Sequence, residues 1–290
     1  MEETPLVSIY IPTHNRCELL KRAVESVFNQ SYPCLELLIV NDGSSDKTRD
    51  FLDGLSHPSI NIIVIHQETP QGACIARNLA INKSTGKFIT GLDDDDEFTE
   101  QRVSELIKHY DPNYSFICTG FYWDYGRKRR LVNTQSMIIN LSNQLDYNFA
   151  SNQILVETSR LKAIQGFDET FPACQDYDTW TRLIENFGSA KRVSGASYII
   201  HRGDNTLRLT EANNWLKGHD QYMAKHRDKM TTQNLTNQEF RRMIAKRSRM
   251  TFIQLIEQIR AGLIIQKIRY YLSSNVKIIS SVRKYFLENK

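Results

Sequence analysis

Short apolar runs alternate with amphipathic segments over the first hundred residues of the chain. Each run is rich in Val and Ile and is bounded by residues that end regular structure, which is typical of buried strands. These runs cover residues 6–12, 35–41, 61–67 and 88–92. Strand–helix–strand alternation with short connections predicts parallel pairing and right-handed crossovers. The pattern therefore indicates an open α/β sheet, which binds ligands beyond the carboxyl ends of its strands.

The segments between these runs are predicted to be helices, at residues 18–30, 47–55 and 73–83. In the first, Leu20, Ala23 and Val27 recur at helical spacing, and Asn15 is placed to cap its N terminus.

The middle of the chain is less regular. Strands are predicted at residues 114–122, 152–157 and 197–201, with a helix at 177–187. After residue 201 the pattern predicts nearly continuous helix, with breaks around 231–236 and 273–275.

Charge is unevenly distributed along the chain, whose formal net charge is +4 at pH 7. The last 50 residues hold 12 Lys and Arg against two acids, a charge of +10, so the other 240 residues carry −6. A hydrophobic fraction of 40% and a charged fraction of 24% exclude a disordered chain and a fibre. The five cysteines are widely spaced and form no CxxC pair, which favours reduced thiols over a zinc or redox site.

The apolar runs are far shorter than the roughly 20 residues that a membrane-spanning helix needs. The acidic opening of the sequence does not match a secretory signal segment. We therefore expect a cytoplasmic protein, either free or peripheral on the cytoplasmic face of the inner membrane.

Three polar clusters stand directly after predicted strands. Their sequences are PTHNR at 12–16, NDGSSD at 41–46 and DDDD at 93–96. Four successive aspartates repel one another unless a cation or a helix N terminus neutralises them. Carboxylate oxygens at the ligand edge of a sheet suit Mg²⁺ or Mn²⁺ that carries a diphosphate. A solvated turn that caps the following helix is the alternative interpretation of the four aspartates.

In order and spacing, the segments VSIYIPTHNR at 7–16, NDGSSD and DDDD resemble family 2 glycosyltransferases. Two further elements agree: ARN at 76–78, and GFDE at 166–169 leading to QDYDTW at 175–180. The resemblance covers roughly residues 5–205 and implies the GT-A fold, an α/β fold with a mainly parallel sheet flanked by helices. We therefore expect a catalytic domain at 1–205 and a C-terminal basic helical region at 206–290.

The resemblance also implies which residues bind the nucleotide sugar: Pro12, Thr13, Asn15, Arg16, Asp42, Arg77, Asp93 and Asp94. Asp42 would accept a hydrogen bond from the base and Asp93 would contact the ribose. Arg77 would lie on the phosphate side or brace the aspartates, and both roles stay open. Asp95 would ligate Mn²⁺ or Mg²⁺, although a one-residue slip leaves the choice among the four aspartates open.

Asp176 is the general base that the resemblance implies. An inverting transfer needs a carboxylate that takes the acceptor hydroxyl's proton. The family usually has Glu-Asp here, whereas this chain has Gln175-Asp176, and a helix cap is the structural alternative. His201, after a predicted strand, would complete the metal shell or contact a phosphate oxygen.

The basic tail has apolar residues at helical spacing. Phe252, Ile256, Ile259 and Leu263 form one stripe, Ile264, Ile268 and Tyr271 continue the pattern, and a last set runs through residues 276–286. Basic residues between them make amphipathic helices that suit an anionic membrane surface. Packing on the catalytic domain or a homodimer interface is the alternative. Without a recognised motif, nucleic-acid binding is not expected.

Together these inferences predict a metal-dependent inverting glycosyltransferase. Its donor would be a nucleotide-diphosphate sugar, UDP-linked, and its acceptor a glycan or lipid-linked glycan of a bacterial surface polysaccharide such as O-antigen, capsule or lipopolysaccharide. A nucleotidyltransferase is one alternative, but His14-Asn15-Arg16 is not the Gly-rich basic loop that it would normally use. A non-catalytic nucleotide-sugar-binding subunit is the other, because of Gln175.

Overall fold

The computed structural model describes residues 4–201 and 208–276, which divide into two compact units. Unit 1 comprises residues 4–141, 149–170 and 175–201, and unit 2 comprises residues 142–148, 171–174 and 208–276. The predicted domain boundary, between residues 205 and 206, lies outside the described residues, as does most of the apolar set predicted at 276–286.

Ten strands, all within the described part of unit 1, form one mixed sheet. They are β1 (Val7–Thr13), β2 (Leu35–Asp42), β3 (Asn61–Gln67), β4 (Phe88–Gly91), β5 (Glu97–Phe98), β6 (Ile117–Asp124), β7 (Arg129–Val132), β8 (Met137–Ile139), β9 (Leu155–Glu157) and β10 (Ala190–His201). Across the sheet the order is β3-β2-β1-β4-β9-β6-β10-β5, with β7 beside β6 and β8 beside β10. The first four strands of that order pair in parallel, as do β6 and β10, and the other pairs are antiparallel.

Helices follow the strands in the alternation that the sequence pattern predicts. In unit 1 they are α1 (Cys17–Phe28), α2 (Thr48–Asp53), α3 (Ala73–Lys83), α4 (Arg102–Lys108), α6 (Thr158–Ala163) and α7 (Gln175–Phe187), while α5 (Leu141–Asp146) lies mainly in unit 2. The remaining helices of unit 2 are α8 (Arg208–His226), α9 (Thr232–Ala245), α10 (Phe252–Ile259) and α11 (Ile264–Asn275).

Strands β1 and β2 are buried on both faces, which explains their continuous apolar runs, whereas β3 at the edge of the sheet is mostly half-buried. Successive side chains of a strand point to opposite faces, so Ile9 and Ile11 join one core cluster and Tyr10 joins the other. Helix α1 covers one face with Leu20 and Val24 as part of a buried stripe. A sheet packed on both faces leaves its strand ends as the place where polar side chains can gather.

Helix α1 begins differently from the prediction. Its N-terminal flanking residue is Arg16, and Asn15 adopts a left-handed conformation with φ of 53°. The Asn15 Oδ1 accepts a hydrogen bond from the Ser45 backbone N at 2.7 Å. The prediction that Asn15 caps α1 is therefore wrong, because its side chain ties the loop after β1 to the loop after β2.

The prediction of a mainly helical segment after residue 201 is confirmed for residues 208–276, but the breaks between its helices are not where the pattern placed them. Helix α9 begins within the segment that was predicted as a break, because the Thr231 hydroxyl accepts a hydrogen bond from the Asn234 backbone N at 3.2 Å as a cap. A turn at residues 260–263, where Leu263 has a left-handed φ of 53°, separates α10 from α11. No helix within residues 4–201 or 208–276 is long and apolar enough to span a bilayer.

Glu36 is a buried carboxylate inside the apolar run of β2. Its two oxygens accept hydrogen bonds from the Ser8 hydroxyl, the Thr85 hydroxyl at 2.7 Å, the Thr85 backbone N at 2.6 Å and the Gly86 backbone N at 3.0 Å. Burial acts to raise the pKa of Glu36, but these donors outweigh it and hold the pKa below its ordinary value. The ionised side chain thereby fastens β1 and β2 to the turn before β4.

We expect Glu36→Gln to lower the free energy of unfolding at pH 7 by about 1–3 kcal/mol, because an amide cannot accept all of these hydrogen bonds. Since the folded-state pKa lies below the unfolded one, the stabilisation is present above the unfolded pKa and is lost as pH falls through the folded value. The difference between wild type and variant should therefore shrink in acid. Urea unfolding across pH measures it, with the exposed Glu68→Gln as control. Equal midpoints for the two variants at pH 7 would contradict this assignment.

Candidate functional site

The carboxyl ends of β1, β2 and β4 meet at one edge of the sheet because β1 pairs in parallel with both neighbours. Thr13 stands opposite Asn41, and Tyr10 stands opposite Gly91. A cavity of about 300 Å³ opens at this edge. Its lining residues are Pro12, Thr13, His14, Arg16, Asp42, Ala73, Ala76, Arg77, Asp93, Asp94 and Asp95.

Eight of the predicted site residues line this cavity. They are Pro12, Thr13, Arg16, Asp42, Arg77, Asp93, Asp94 and Asp95. Three others, Asn15, Asp176 and His201, are not among its lining residues. His14 does line the cavity although no role was predicted for it, and its Nδ1 donates to the Asp42 carbonyl oxygen at 2.6 Å.

Asp42 is fixed by the loop that leads into α3. Its Oδ1 accepts from the Gln71 backbone N at 2.7 Å and its Oδ2 from the Gly72 backbone N at 2.8 Å. Gly43, with φ of 62°, lets this loop approach, since a Cβ there would stand 2.6 Å from the Pro70 N. The carboxylate at the end of β2 is therefore held in one orientation at the cavity wall.

Arg16 bridges two of the four successive aspartates. Its Nη1 lies 3.0 Å from the Asp94 Oδ1 and 3.0 Å from the Asp95 Oδ2. The Thr13 hydroxyl also donates to the Asp94 Oδ2 at 2.8 Å. Burial raises the pKa of Asp94, opposed by Arg16, and burial followed by the charge of Asp93 raises the pKa of Asp95. Asp95 keeps 43% of its side chain exposed, which makes it the more accessible carboxylate of the pair.

Asp93 is held by a separate set of partners. Its Oδ1 accepts from the Arg77 Nη2 at 3.0 Å and from the Gln153 Nε2 at 3.2 Å, and its backbone N donates to the Tyr198 hydroxyl at 3.1 Å. The Tyr10 hydroxyl donates in turn to the Gln153 Oε1 at 3.2 Å. Of the two roles left open for Arg77, the hydrogen bond to Asp93 matches the one in which it holds the aspartates in place. Gln153 carried no motif, so sequence reasoning missed it.

Asp96 and His201 meet on the side of β10. The Asp96 Oδ1 accepts from the His201 backbone N at 3.1 Å, and burial, then the charges of Asp93 and Asp95, raises the pKa of Asp96 to about 8. The His201 Nε2 lies 2.6 Å from the Glu97 Oε1. Because Glu97 contacts this nitrogen, the structure gives no support to metal ligation by His201, which stays a prediction.

Asp176 occupies the first turn of α7 and is half-buried. Burial raises the pKa of this carboxyl to about 6; the Tyr177 backbone N–H and the Arg77 charge oppose the shift, and the Asp93 charge adds to it. Asp178 is different, because it is fully buried and its Oδ2 lies 2.7 Å from the Arg182 Nε. This ion pair gives Asp178 a structural role, so that of the two aspartates in the first turn of α7 it is Asp176 whose pKa suits proton transfer near neutral pH.

Two motif segments that are far apart in sequence contact each other beside the site. The Asn78 Oδ1 accepts from the Phe167 backbone N at 2.8 Å, and its Nδ2 donates to the Phe167 carbonyl at 2.8 Å. The Arg182 Nη2 donates to the Gly166 carbonyl at 2.6 Å. Segment 166–169 therefore connects α3, which carries Arg77, to α7, which carries Asp176.

The carboxylates that line the cavity suit a divalent cation together with a ligand that supplies further oxygens. Among the described residues, no three His, Cys, Asp or Glu side chains form a ready metal cage. Asp95, however, lines the cavity with a carboxylate that keeps 43% of its side chain exposed. Mg²⁺-type sites are commonly built from one or two carboxylates completed by substrate phosphates and water. The residues present therefore fit a cation that a diphosphate helps to hold.

Comparison with known proteins identifies the family. The family model Glycosyl transferase family 2 matches residues 8–169, more than half of the 290 residues. The chain belongs to glycosyl transferase family 2. This family 2 glycosyltransferase is 32% identical over 268 residues to WcaA, a candidate colanic acid biosynthesis glycosyl transferase of Escherichia coli (strain K12), with 88% of this chain and 94% of WcaA covered.

Solved structures agree on the fold of this family 2 glycosyltransferase. TarS residues 1–349 of S. aureus, in complex with UDP-GlcNAc, superpose with a TM-score of 0.62 at 16% identity, covering 92% of this chain and 79% of that one. The mannosyltransferase PcManGT of Pyrobaculum calidifontis, in complex with GDP-Man and Mn²⁺, gives 0.60 at 14% identity, covering 100% and 89%. The predicted GT-A fold with a helical C-terminal region is confirmed.

The hydrogen bonds around Asp93 depend on the absence of a side chain at Gly91. A Cβ at Gly91 would stand 2.2 Å from the Gln153 Oε1 and 2.4 Å from the Tyr10 Cζ. We expect Gly91→Ala to displace Gln153 from Asp93, to lower the free energy of unfolding by about 1–3 kcal/mol through overpacking, and to weaken nucleotide binding. Thermal unfolding and UDP titration measure both effects. Gly54→Ala is the matched control, since its Cβ would meet nothing nearer than 3.8 Å; equal behaviour of the two variants would refute this role.

Proposed function

We propose that this glycosyltransferase moves a sugar, with inversion, from a nucleotide-diphosphate donor to a glycan acceptor, with Mn²⁺ or Mg²⁺ as cofactor. The donor is proposed to be a UDP-sugar. The observation that carries the proposal is the cavity at the strand ends, where Asp42, three successive aspartates and two arginines face one space. Arginines and aspartates that line one cavity suit a ligand that carries both a nucleoside and a metal-bound diphosphate.

On the donor side, Asp42 is proposed to accept the base N–H, and Asp93 to bind the ribose, while Pro12 and Thr13 border the nucleoside. Arg77 is proposed to bind the diphosphate in addition to its hydrogen bond with Asp93. Its Nε and Nη1 are buried and have no hydrogen-bond partner among the described residues. Since buried donors are normally satisfied, an acceptor oxygen from the diphosphate accounts for them.

Asp176 is proposed as the general base that removes the proton from the acceptor hydroxyl. A base is most effective when its pKa lies near the working pH, because it is then ionised and still takes the proton readily. The pKa of about 6 meets that condition. Gln175 in place of the usual acid leaves this role intact, because the Asp is retained.

Asp95 is proposed to hold the cation together with the diphosphate, with Asp94 kept in place by Arg16 and Thr13. When bound, the cation would stabilise the negative charge that develops on the departing diphosphate. The protein's own part is to orient the donor against the carboxylates and to place the base within reach of the acceptor hydroxyl.

The acceptor is proposed to be a glycan or lipid-linked glycan of a bacterial surface polysaccharide. Support comes from the description of WcaA in colanic acid biosynthesis, since this chain spans 94% of that relative. Family membership favours sugar transfer over nucleotidyl transfer. A donor-hydrolysis assay separates an enzyme from a non-catalytic binding subunit, because an intact enzyme slowly releases UDP with water as acceptor. Absence of any release from every UDP-sugar tried, despite tight binding, would favour the binding subunit.

For Asp176→Asn we expect a loss of transfer of roughly 10²–10⁴-fold with donor affinity retained, because only proton removal is impaired. In the wild type, kcat/KM should rise with pH through about 6 as Asp176 loses its proton, and the variant should lack that limb. Initial rates across pH and UDP titration measure both. Turnover within a few-fold of wild type, with the acid limb unchanged, would show that another carboxylate is the base.

Asp95→Ala should abolish transfer and the Mn²⁺-dependent part of UDP binding while the fold persists, because a partly exposed carboxylate carries little of the core. Calorimetric titration with UDP, with and without Mn²⁺, measures the loss. The exposed Asp50→Ala on α2 is the control and should behave as wild type. Full wild-type activity in excess EDTA, or full activity of the Asp95 variant, would exclude the proposed metal role.

A further inference from the structure

Helices α10 and α11 form an antiparallel hairpin in unit 2. The Phe252 ring packs edge-on against Tyr271 with centroids 6.3 Å apart, and the Lys267 Nζ donates to the Gln258 carbonyl at 2.6 Å. The Asn275 Nδ2 donates to the Met250 carbonyl at 2.8 Å. Contacts advance along one helix as they retreat along the other, which defines the antiparallel register.

The inner side of this hairpin has its own core. Leu255 and Met250 are buried together with Phe240 and Met243 of the preceding segment, and Tyr270 packs against them. Ile259, from the stripe that the sequence predicted, also packs on this core. The predicted stripe was therefore only partly correct, because the helix turns Ile259 inward.

The outer side of the hairpin is apolar as well. Of the twelve large hydrophobic side chains exposed among the described residues, eight lie within residues 252–276. They are Phe252, Ile253, Ile256, Ile264, Ile265, Ile268, Leu272 and Val276. We call the first seven of these the hairpin face. Such a concentration of exposed apolar side chains marks an interaction surface.

Both helices build the hairpin face in the same way. Each exposes its first, second and fifth residues, which at 100° per residue fall within one arc of about 100°. The register that the contacts define places Phe252 level with Leu272 and Ile256 level with Ile268. The two apolar arcs therefore run beside each other along the length of the hairpin.

The charges around the hairpin face are almost all positive. Exposed basic side chains between residues 246 and 276 are Lys246, Arg247, Arg249, Arg260 and Arg269, and Glu257 is the one acid in that segment. The following residues 277–290 add four basic residues and one acid by sequence. An apolar arc bordered by basic residues complements a surface that is apolar inside and anionic outside.

We propose that the hairpin face docks on an anionic lipid bilayer, with the apolar arc in the headgroup boundary and the arginines and lysines against the lipid headgroups. A second copy of the chain fits less well, because it would bring two clusters of positive charge together. Docking has two components: attraction of the basic residues, which salt screens, and apolar insertion, which resists salt.

Co-sedimentation of the full chain with vesicles tests this. Binding is expected to vesicles of phosphatidylcholine containing about 30% phosphatidylglycerol and not to phosphatidylcholine alone, and to weaken without vanishing as salt is raised. In Ile253→Gln/Ile265→Gln the two most exposed residues of the face, at 70% and 66%, are replaced, so the core stays intact. This variant should bind at least about 10-fold more weakly. Leu131→Gln, which replaces a 56% exposed Leu on β7, is the matched control and should bind as wild type.

Three results would overturn the proposal. The full chain could ignore anionic vesicles at low salt, or the double variant could bind them as tightly as wild type. Sedimentation velocity could also show a wild-type dimer that the double variant converts to a monomer, which would make the hairpin face a homodimer interface. UDP titration of the double variant confirms that its site is folded in each case.

Discussion

Repulsion among the four carboxylates of residues 93–96 is the constraint on which the site depends. Their partners come from several parts of the chain: Asp93 contacts Arg77 and Gln153, Asp94 and Asp95 share Arg16, and Asp96 contacts the backbone of β10. These partners hold the carboxylates in place, but burial still raises the pKa values of Asp94, Asp95 and Asp96, and the charges of neighbouring aspartates add to the shift. The proposed cation would offset part of this repulsion and would bring metal and diphosphate together in one small region.

The mixed topology explains how Asp93 reaches its partners. Strand β9 lies between β4 and β6 and runs antiparallel to β4, with Thr90 opposite Leu155. The start of an antiparallel strand lies beside the end of its neighbour, so Gln153, just before β9, arrives next to Asp93. Gly91 leaves the space in which the Gln153 and Tyr10 side chains meet. A wholly parallel sheet would have put the far end of that strand there.

The hairpin of unit 2 combines a buried lysine with an apolar face that is exposed. Its interior holds Lys267, fully buried, whose Nζ donates to the Asn237 Oδ1 and the Gln258 carbonyl, both at 2.6 Å, and burial lowers the pKa of this lysine to about 8. Its outer face carries Ile253 and Ile265 instead. The two hydrogen bonds of Lys267 join α11 to α9 and α10 and help to fix the register of these helices, while the apolar hairpin face stays exposed.

The sequence by itself determined the parallel half of the sheet, because short runs rich in Val and Ile bury both faces wherever helices flank them. It also determined which polar clusters share an edge, since carboxyl ends of parallel strands coincide. Only the tertiary structure decided the partners of each carboxylate. Gln153 donates a hydrogen bond to Asp93, 60 residues away in sequence. Asn15 accepts a hydrogen bond from the loop after β2 instead of capping α1, and the His201 ring contacts the Glu97 carboxylate. Such contacts arise from strand order and loop closure between distant segments, and local periodicity carries no information about either.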